Sequence, residues 1–204
     1  MTIKNIIFDI GNVMVRWDPL SITTELFPEH PNIAQLNQQL FKSATWFDLN
    51  LGKITDQQAL QQYQQNLGID PKQLEQLMPA VKRSLTPITG SAELVAQLYQ
   101  AQYPLYALTD NTKEIMAFLK AEYDFWRMFR GVVVSAEIGV LKPNPAIYEY
   151  LLNTYQLTAQ ETLFIDDHQP NIDGAQAVGI QALRFETVKK CIEDLKKIYQ
   201  LEIR

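Results

Sequence analysis

The chain has 204 residues, which fits one large domain or one domain that carries a smaller insertion. Its 47% hydrophobic and 20% charged residues are typical of a globular protein, which excludes disordered and fibrous proteins. The formal net charge of −5 argues against nucleic-acid phosphate binding as the main task, and no apolar run approaches the roughly 18 residues of a membrane-spanning helix.

Five short apolar runs are typical of strands that are buried on both faces of a parallel sheet. They lie at residues 6–8, 105–108, 132–134, 163–165 and 180–183. Helical patterns lie between them, at residues 92–102, 113–122, 145–155 and 172–177. Strands that alternate with helices predict an α/β fold, a Rossmann-like doubly wound parallel sheet with both faces covered.

Residues 17–86 interrupt this alternation, because no strand-like run occurs there. Helical patterns lie instead at residues 33–42, 56–67 and 71–85. Thr55 and Gln58 have the spacing of a capping box at the start of the second of these helices. We predict a small helical cap at residues 17–86, inserted after the first strand as a candidate lid, and an α/β core formed by residues 1–16 and 87–204.

Residues that can carry chemistry occur where the predicted strands end. Asp9 follows the first strand, Thr109 the second, and the adjacent Asp166 and Asp167 the fourth. Open parallel sheets bind ligands at the carboxyl ends of their strands, so these residues are expected to converge on one crevice. Taken singly, Asp9 also fits an ordinary turn and Thr109 a helix cap.

The adjacent carboxylates of Asp166 and Asp167 are the more specific signal. Such groups repel and raise each other's pKa unless a cation lies between them. A hard divalent ion such as Mg²⁺ removes that penalty, and it binds carboxylates together with water and substrate phosphate. The pair therefore predicts a Mg²⁺ cofactor, and the alternative is a helix N-cap beside a solvated aspartate.

Lys142 lies on a loop that the sequence makes stiff. Pro143 favours an extended conformation at Lys142, and Asn144 and Pro145 have the pattern of N-cap and first residue of a helix. A lysine at a helix start is well placed to hold an anion. A solvent-facing lysine is the alternative.

The compartment and partners follow from simple counts. The single cysteine, Cys191, cannot form an internal disulfide, which favours a reducing compartment, and we expect it to serve packing. The apolar run before Asp9 is too short for the hydrophobic region of a secretory signal. We expect a cytoplasmic protein, a monomer or homodimer, with a small-molecule substrate and neither nucleic acid nor membrane as partner.

Four short motifs follow the predicted strands in an order that is more specific than any one of them alone. They are Asp-x-Gly-Asn starting at Asp9, Leu-Thr-Asp-Asn at 108–111, Leu-Lys-Pro at 141–143, and Ile-Asp-Asp-His-Gln-Pro-Asn-Ile-Asp-Gly-Ala at 165–175. In this order the chain resembles the haloacid dehalogenase superfamily over residues 1–16 and 87–190, and residues 17–86 fit the cap of that family. The first motif resembles the branch that contains bacterial glucose-1-phosphate phosphatase.

The resemblance implies a division of roles. Asp9 would attack phosphorus and form an aspartyl-phosphate that water then hydrolyses. Thr109 and the backbone amide of Asp110 would bind phosphate oxygens. Lys142 would offset the charge of Asp9 and of the phosphoryl group. The expected function is a phosphatase acting on a small phosphorylated metabolite, and sugar phosphates are the leading class by resemblance.

The same resemblance implies the metal ligands. Mg²⁺ would be held by Asp9, the backbone carbonyl of Gly11 and Asp167, with Asp166 binding directly or through water. The metal would screen the repulsion between the Asp9 carboxylate and the phosphate dianion. Two further residues after the pair, Asn171 and Asp173, are expected to support the acidic loop through hydrogen bonds.

Gly11 departs from the family pattern, because most family phosphatases carry there a second Asp that protonates the leaving group. We consider Asp18, or a water ordered by Asn12, as a substitute. A 2-haloacid dehalogenase with Asp9 as nucleophile is one alternative, and a non-catalytic binding module on the same scaffold is another. Trp17, Trp46, Phe47 and Asn50 are candidates for the pocket side of the cap, and core packing is the alternative for Trp46 and Phe47. His168 is expected to be a solvated loop residue, with a contact to the leaving group as the alternative.

Overall fold

The computed structural model describes residues 2–201 and contains one five-stranded parallel sheet. The strands are β1 (Asn5–Phe8), β2 (Leu105–Thr109), β3 (Phe129–Val134), β4 (Thr162–Asp166) and β5 (Gln181–Arg184). Their order in the sheet is β3-β2-β1-β4-β5, and every adjacent pair is parallel. The chain thus winds outward from β1 in one direction and then in the other, which confirms the predicted doubly wound α/β fold.

The sheet is covered on both faces, as its continuous apolar strands require. Ile6 and Phe8 of β1 point into one hydrophobic cluster, and Ile7 between them points into the other. Every residue of β2 and of β4 is buried. This alternation with a period of two places the strand ends, rather than the strand faces, at the surface where ligands bind.

Helices connect the strands within the core part of the chain. They are α7 (Ser91–Gln100), α8 (Lys113–Glu122), α9 (Ser135–Ile138), α10 (Pro145–Tyr155), α11 (Gln169–Ala177) and α12 (Val188–Lys197), with short 3-10 helices at Asp124–Met128 and Ala159–Glu161. Asn144 caps α10 and Pro145 opens it, as predicted. No helix among residues 2–201 combines the length and the apolar character needed to cross a membrane.

Six helices lie between β1 and α7. They are α1 (Pro19–Leu26), α2 (Ile33–Phe41), α3 (Ala44–Asn50), α4 (Asp56–Leu67), α5 (Pro71–Leu74) and α6 (Leu77–Ser84). The predicted capping box of Thr55 and Gln58 opens α4. The amide of Arg16 donates to the carbonyl of Thr86 at 2.8 Å, so the segment leaves and rejoins the core at adjacent points. Its status as a separate cap domain stays a prediction.

One helix prediction is wrong, because the single helix expected over residues 71–85 is two helices. The break follows from Pro79, which has no amide hydrogen to donate. In a continuous helix Pro79 would lie in the interior, where it clashes with the preceding turn. With α6 starting at Leu77, Pro79 is its third residue and occupies the first turn, where amides have no intrahelical acceptor.

Candidate active site

Residues at the strand ends meet at one cavity of about 390 Å³. Five of the predicted site residues line it from the core: Asp9, Thr109, Asp110, Lys142 and Asp167. Gly11 also lines the cavity, and Asp166 lies beneath it with no exposed surface. The predicted convergence on one crevice is therefore confirmed, and we call these five lining residues the core side of the cavity.

Lys142 is the centre of a buried ion-pair network. Its Nζ lies 2.8 Å from Asp9 Oδ1 and 2.8 Å from Asp166 Oδ2, and it donates to the carbonyl oxygen of Leu108 at 3.3 Å. The Lys142 side chain is 2% exposed, so the solvent-facing alternative is wrong. Burial by itself would lower the pKa of Lys142, but the neighbouring Asp9 and Asp166 carboxylates outweigh it and raise that pKa.

Asp9 is held in one orientation at the end of β1. Its Oδ1 accepts hydrogen bonds from the backbone amide of Ile10 at 2.7 Å and contacts Lys142 Nζ. Within residues 2–201 both contacts use Oδ1, which leaves Oδ2 for a ligand. Burial raises the pKa of Asp9 well above its ordinary value, Lys142 opposes this rise, and the charge of Asp166 adds to it.

Asp166 and Asp167 differ sharply in how much of their hydrogen-bonding capacity is used. Asp166 accepts from Lys142 Nζ, from the backbone amide of His168 at 2.8 Å, and from Asn171 Nδ2 at 3.2 and 3.0 Å. Asp167 is half-buried and accepts from Asn12 Nδ2 at 3.3 Å. Asp167 therefore has the freer carboxylate, and Asp166 anchors the lysine.

The acidic cluster fits a divalent cation. Carboxylate oxygens of Asp9, Asp166 and Asp167 lie within 4.8 Å of one another. Three carboxylates and the one ammonium of Lys142 leave an excess of two negative charges. Burial, followed by the charge of Asp166, raises the pKa of Asp167, which is the effect that a bound hard cation would remove.

The phosphate-binding prediction concerns the loop after β2. Thr109 is buried at the end of that strand, and Asp110 Oδ1 accepts a hydrogen bond from the backbone amide of Lys142 at 3.0 Å. Burial raises the pKa of Asp110, and Lys142 opposes this rise. The Asp110 side chain thus ties the loop after β2 to the lysine loop, so that both reach the cavity together.

Ser135 is a positioning residue that the sequence reasoning missed. Its hydroxyl donates to the carbonyl of Asn50 at 2.7 Å and accepts from the backbone amide of Asn111 at 2.9 Å. It therefore joins α3 to the loop after β2. The available signal was its position directly after the apolar run 132–134, the same position that Asp9, Thr109 and Asp166 occupy at their strands.

Four aromatic residues from the loop before α1 and from α2 and α3 also line the cavity. Trp17 and Trp46 stack with ring centroids 5.6 Å apart and an interplanar angle of 10°, and Phe41 packs edge-on against both. Phe47 also lines the cavity and is 49% exposed. We call these four residues the aromatic wall. Trp17, Trp46, Phe47 and Asn50 were candidates for the pocket lining and do line the cavity, whereas Phe41 was not considered.

Several neighbouring expectations are decided by the contacts. Asn171 donates to Asp166 and supports the acidic loop, as predicted. Asp173 is exposed on α11 and accepts a hydrogen bond from Gln169 Nε2 of the same helix instead. Asp18 is exposed, caps α1 through the amide of Ser21, and is not among the residues that line the cavity. His168 is exposed at the rim of the cavity.

Comparison with known sequences places the chain in a family and near several phosphatases. The family model described as haloacid dehalogenase-like hydrolase matches residues 6–185. A sesquiterpene phosphatase of Aspergillus oryzae is 27% identical over 94% of this chain and 95% of its own length. A glyceraldehyde 3-phosphate phosphatase of Pyrococcus abyssi is 30% identical over 50% of this chain, and a drimenol cyclase of Aspergillus calidoustus is 20% identical over 97% of it. The matches span 43% and 37% of those two proteins.

Solved structures of the same fold include an enzyme that binds magnesium and phosphate and a haloacid dehalogenase. An HAD family enzyme of Bacteroides thetaiotaomicron, in complex with magnesium and inorganic phosphate, superposes with a TM-score of 0.74 at 21% identity, over 91% of this chain and 95% of that one. The L-2-haloacid dehalogenase of Xanthobacter autotrophicus superposes with a TM-score of 0.68 at 20% identity, over 95% and 82%. With a family match that spans residues 6–185, this chain belongs to the haloacid dehalogenase-like hydrolases.

Proposed function

We propose that the protein is a Mg²⁺-dependent phosphatase that hydrolyses small phosphomonoesters through an aspartyl-phosphate on Asp9. The observation that carries the proposal is the cluster of Asp9, Asp166 and Asp167, whose oxygens lie within 4.8 Å of one another beside one buried lysine. A metal-free displacement of halide would leave its excess negative charge uncompensated. A divalent cation would offset this negative charge and would also bind the oxygens of a substrate phosphate.

The chemistry of the chain's own residues is a two-step transfer. A carboxylate oxygen of Asp9 forms a bond to phosphorus while the bond from phosphorus to the leaving oxygen breaks. The leaving group departs with that electron pair and takes a proton from water. A second water then attacks phosphorus, which releases phosphate and restores the Asp9 carboxylate. Lys142 holds Asp9 Oδ1 in place and offsets charge throughout.

Asp9, the backbone carbonyl of Gly11 and Asp167 would hold Mg²⁺, and the freer carboxylate of Asp167 supports a direct bond there. Asp166 would act from behind, through Lys142 or through water. When bound, Mg²⁺ supplies charge neutralisation and polarises the phosphoryl oxygens.

The phosphate group itself would be bound by the chain. The hydroxyl of Thr109, the backbone amide of Asp110 and the ammonium of Lys142 would hold its oxygens. The helical segment 17–86 would serve as a cap that covers the reaction from the other side of the cavity, in a monomeric or homodimeric cytoplasmic protein.

The names of the relatives support the reaction more than the substrate. They include a sesquiterpene phosphatase, a glyceraldehyde 3-phosphate phosphatase and phosphoglycolate phosphatases. The sugar-phosphate substrate and the glucose-1-phosphate phosphatase branch stay predictions from the first motif.

Hydrolysis of p-nitrophenyl phosphate tests the proposal, because its leaving group needs little protonation. We expect phosphate release with Mg²⁺, none with EDTA, and a loss of about 10⁴-fold or more in Asp9→Asn. Asp124→Asn, which alters an exposed aspartate far from the cavity, is the control and should keep full activity. Halide release from 2-haloacids without metal would indicate a dehalogenase. Absence of turnover with both substrate classes would indicate a binding module.

A further inference from the structure

Resting on the proposed phosphatase function, we infer that the substrate is a phosphomonoester with an apolar leaving group, which the aromatic wall receives, and not a polyhydroxylated sugar phosphate. The wall consists of Trp17, Phe41, Trp46 and Phe47. In-line displacement puts the leaving group opposite the attacking oxygen. Asp9 attacks from the core side, so the leaving group faces the cap side, where the wall lies.

The wall offers apolar contact area for a group of limited size. The stacked rings of Trp17 and Trp46 and the edge-on ring of Phe41 form one continuous surface. Phe47 extends it with a ring that is half exposed. Covering such a ring with an apolar group removes it from water, which favours binding in proportion to the area covered. The cavity of about 390 Å³ accommodates a phosphate and a ring-sized group.

Three of the four asparagine side chains that line the cavity donate hydrogen bonds within the protein. Asn12 binds Asp167 and the amide of Trp17, Asn50 donates to the carbonyl of Trp46, and Asn171 donates to Asp166. A sugar ring buried here would bring several hydroxyls that need hydrogen bonds. Hydroxyl groups buried without partners weaken binding, so this lining selects against such a leaving group.

The space beside Gly11 points the same way. A side chain at this position would project toward Trp17, whose Cβ lies 3.8 Å from where a Cβ on Gly11 would be. An aromatic residue therefore borders the place next to Asp9, and the wall itself has no carboxylic acid. A leaving group seated there has to depart without a proton from the wall. Phenol-type and other acidic alcohols do so more readily than sugar hydroxyls.

A series of 4-alkylphenyl phosphates, from phenyl to 4-butylphenyl phosphate, tests the inference with nearly constant leaving-group acidity. We expect kcat/KM to rise about two- to four-fold per methylene until the wall is covered. The matched pair 4-ethylphenyl and 4-(hydroxymethyl)phenyl phosphate differs in one polar atom, and the ethyl compound should be favoured at least about five-fold. Glucose 1-phosphate should have a lower kcat/KM than every member of the series.

Phe47→Ala locates the effect on the wall. Because Phe47 is half exposed, its truncation leaves the fold intact; it should lower kcat/KM for 4-butylphenyl phosphate about five- to ten-fold and flatten the rise per methylene. Inhibition by inorganic phosphate should not change. Tyr150→Ala, which removes a similarly exposed aromatic ring on α10 outside the cavity, should leave the series unchanged.

The outcomes separate the two claims. A flat series, a preference for the hydroxymethyl compound, or a higher kcat/KM for glucose 1-phosphate would overturn the apolar leaving group while the phosphatase stands. A steep series that Phe47→Ala does not alter would overturn the role of the wall. If p-nitrophenyl phosphate is not hydrolysed with Mg²⁺ at all, it is the proposed function that fails.

Discussion

The two sides of the cavity are built in opposite ways. On the core side, charged groups at the ends of β1 and β4 and on the loop that carries Lys142 lie at hydrogen-bond distance, and Lys142 Nζ is 2.8 Å from each of two carboxylates. On the side formed by the helical segment, aromatic rings contact one another, and Phe47 is half exposed. The core side therefore holds its charged groups in a fixed arrangement, whereas the aromatic wall is a surface that the substrate can cover.

This difference separates the reaction from the choice of substrate. The groups that would act on phosphorus sit on strand ends and loops that the sheet orients. The groups that would recognise the rest of the substrate come from the helical segment and the loop leading into it. A change on the core side should therefore alter stability or turnover of every substrate, and a change in the wall should alter their ranking.

The largest stability effect is expected on the core side, from Lys142→Ala. The variant leaves the Asp9 and Asp166 carboxylates facing each other without their cation, which should cost about 3–5 kcal/mol in free energy of unfolding. Lys53→Ala removes an exposed lysine paired with Asp48 at 3.0 Å and should cost less than about 1 kcal/mol. Urea unfolding in EDTA measures the free energy of unfolding of both variants. Equal losses would show that the buried ion pairs of Lys142 stabilise the fold no more than an exposed pair does.

Sequence reasoning found the core side more completely than the wall, for a physical reason. Parallel strands bring their carboxyl ends to one edge, so the positions of Asp9, Thr109 and Asp166 after apolar runs were enough to predict that they meet. The capping box at Thr55 is likewise local. The burial of Lys142 was not predictable from its loop, because it depends on two carboxylates distant in sequence.

The wall was harder because helices, unlike strand ends, have no shared edge. Which rings of the helical segment face the cavity depends on how α2 and α3 pack, and the sequence does not encode that locally. Phe41 was therefore missed, because a buried aromatic residue at the end of α2 is expected to be an ordinary core residue. The split between α5 and α6 was missed for another reason, because Pro79 was read as part of one helix.

A charged group placed at the border of the two sides should change the reactivity. Gly11→Asp introduces a carboxylic acid where a Cβ meets only Trp17 at ordinary contact distance. If the acid protonates the leaving group, hydrolysis of phosphates with poor leaving groups should accelerate by about 10²-fold, and that of p-nitrophenyl phosphate should change little. Gly11→Asn has the same size but no transferable proton, so an equal acceleration in both variants would rule out acid catalysis.

A smaller effect is expected where the two sides are joined. Ser135→Ala leaves the carbonyl of Asn50 and the amide of Asn111 without their partner, which should cost about 1–3 kcal/mol in free energy of unfolding. Ser84→Ala removes a hydroxyl that donates to the nearby carbonyl of Val81, and it should change the free energy of unfolding by no more than about 0.5 kcal/mol. If both variants unfold alike, the link through Ser135 does not stabilise the cavity.

The most direct test of the central claim is to trap the covalent intermediate. The enzyme is mixed with phosphate-labelled p-nitrophenyl phosphate and Mg²⁺, quenched in acid within the first turnover, reduced with borohydride and mapped by peptide mass spectrometry. Reduction releases the phosphate, so we expect label on the protein before reduction, a reduced residue at Asp9 after it, and neither in Asp9→Asn. A reduced residue at another position, or Mg²⁺-dependent turnover that survives in Asp9→Asn, would contradict this mechanism.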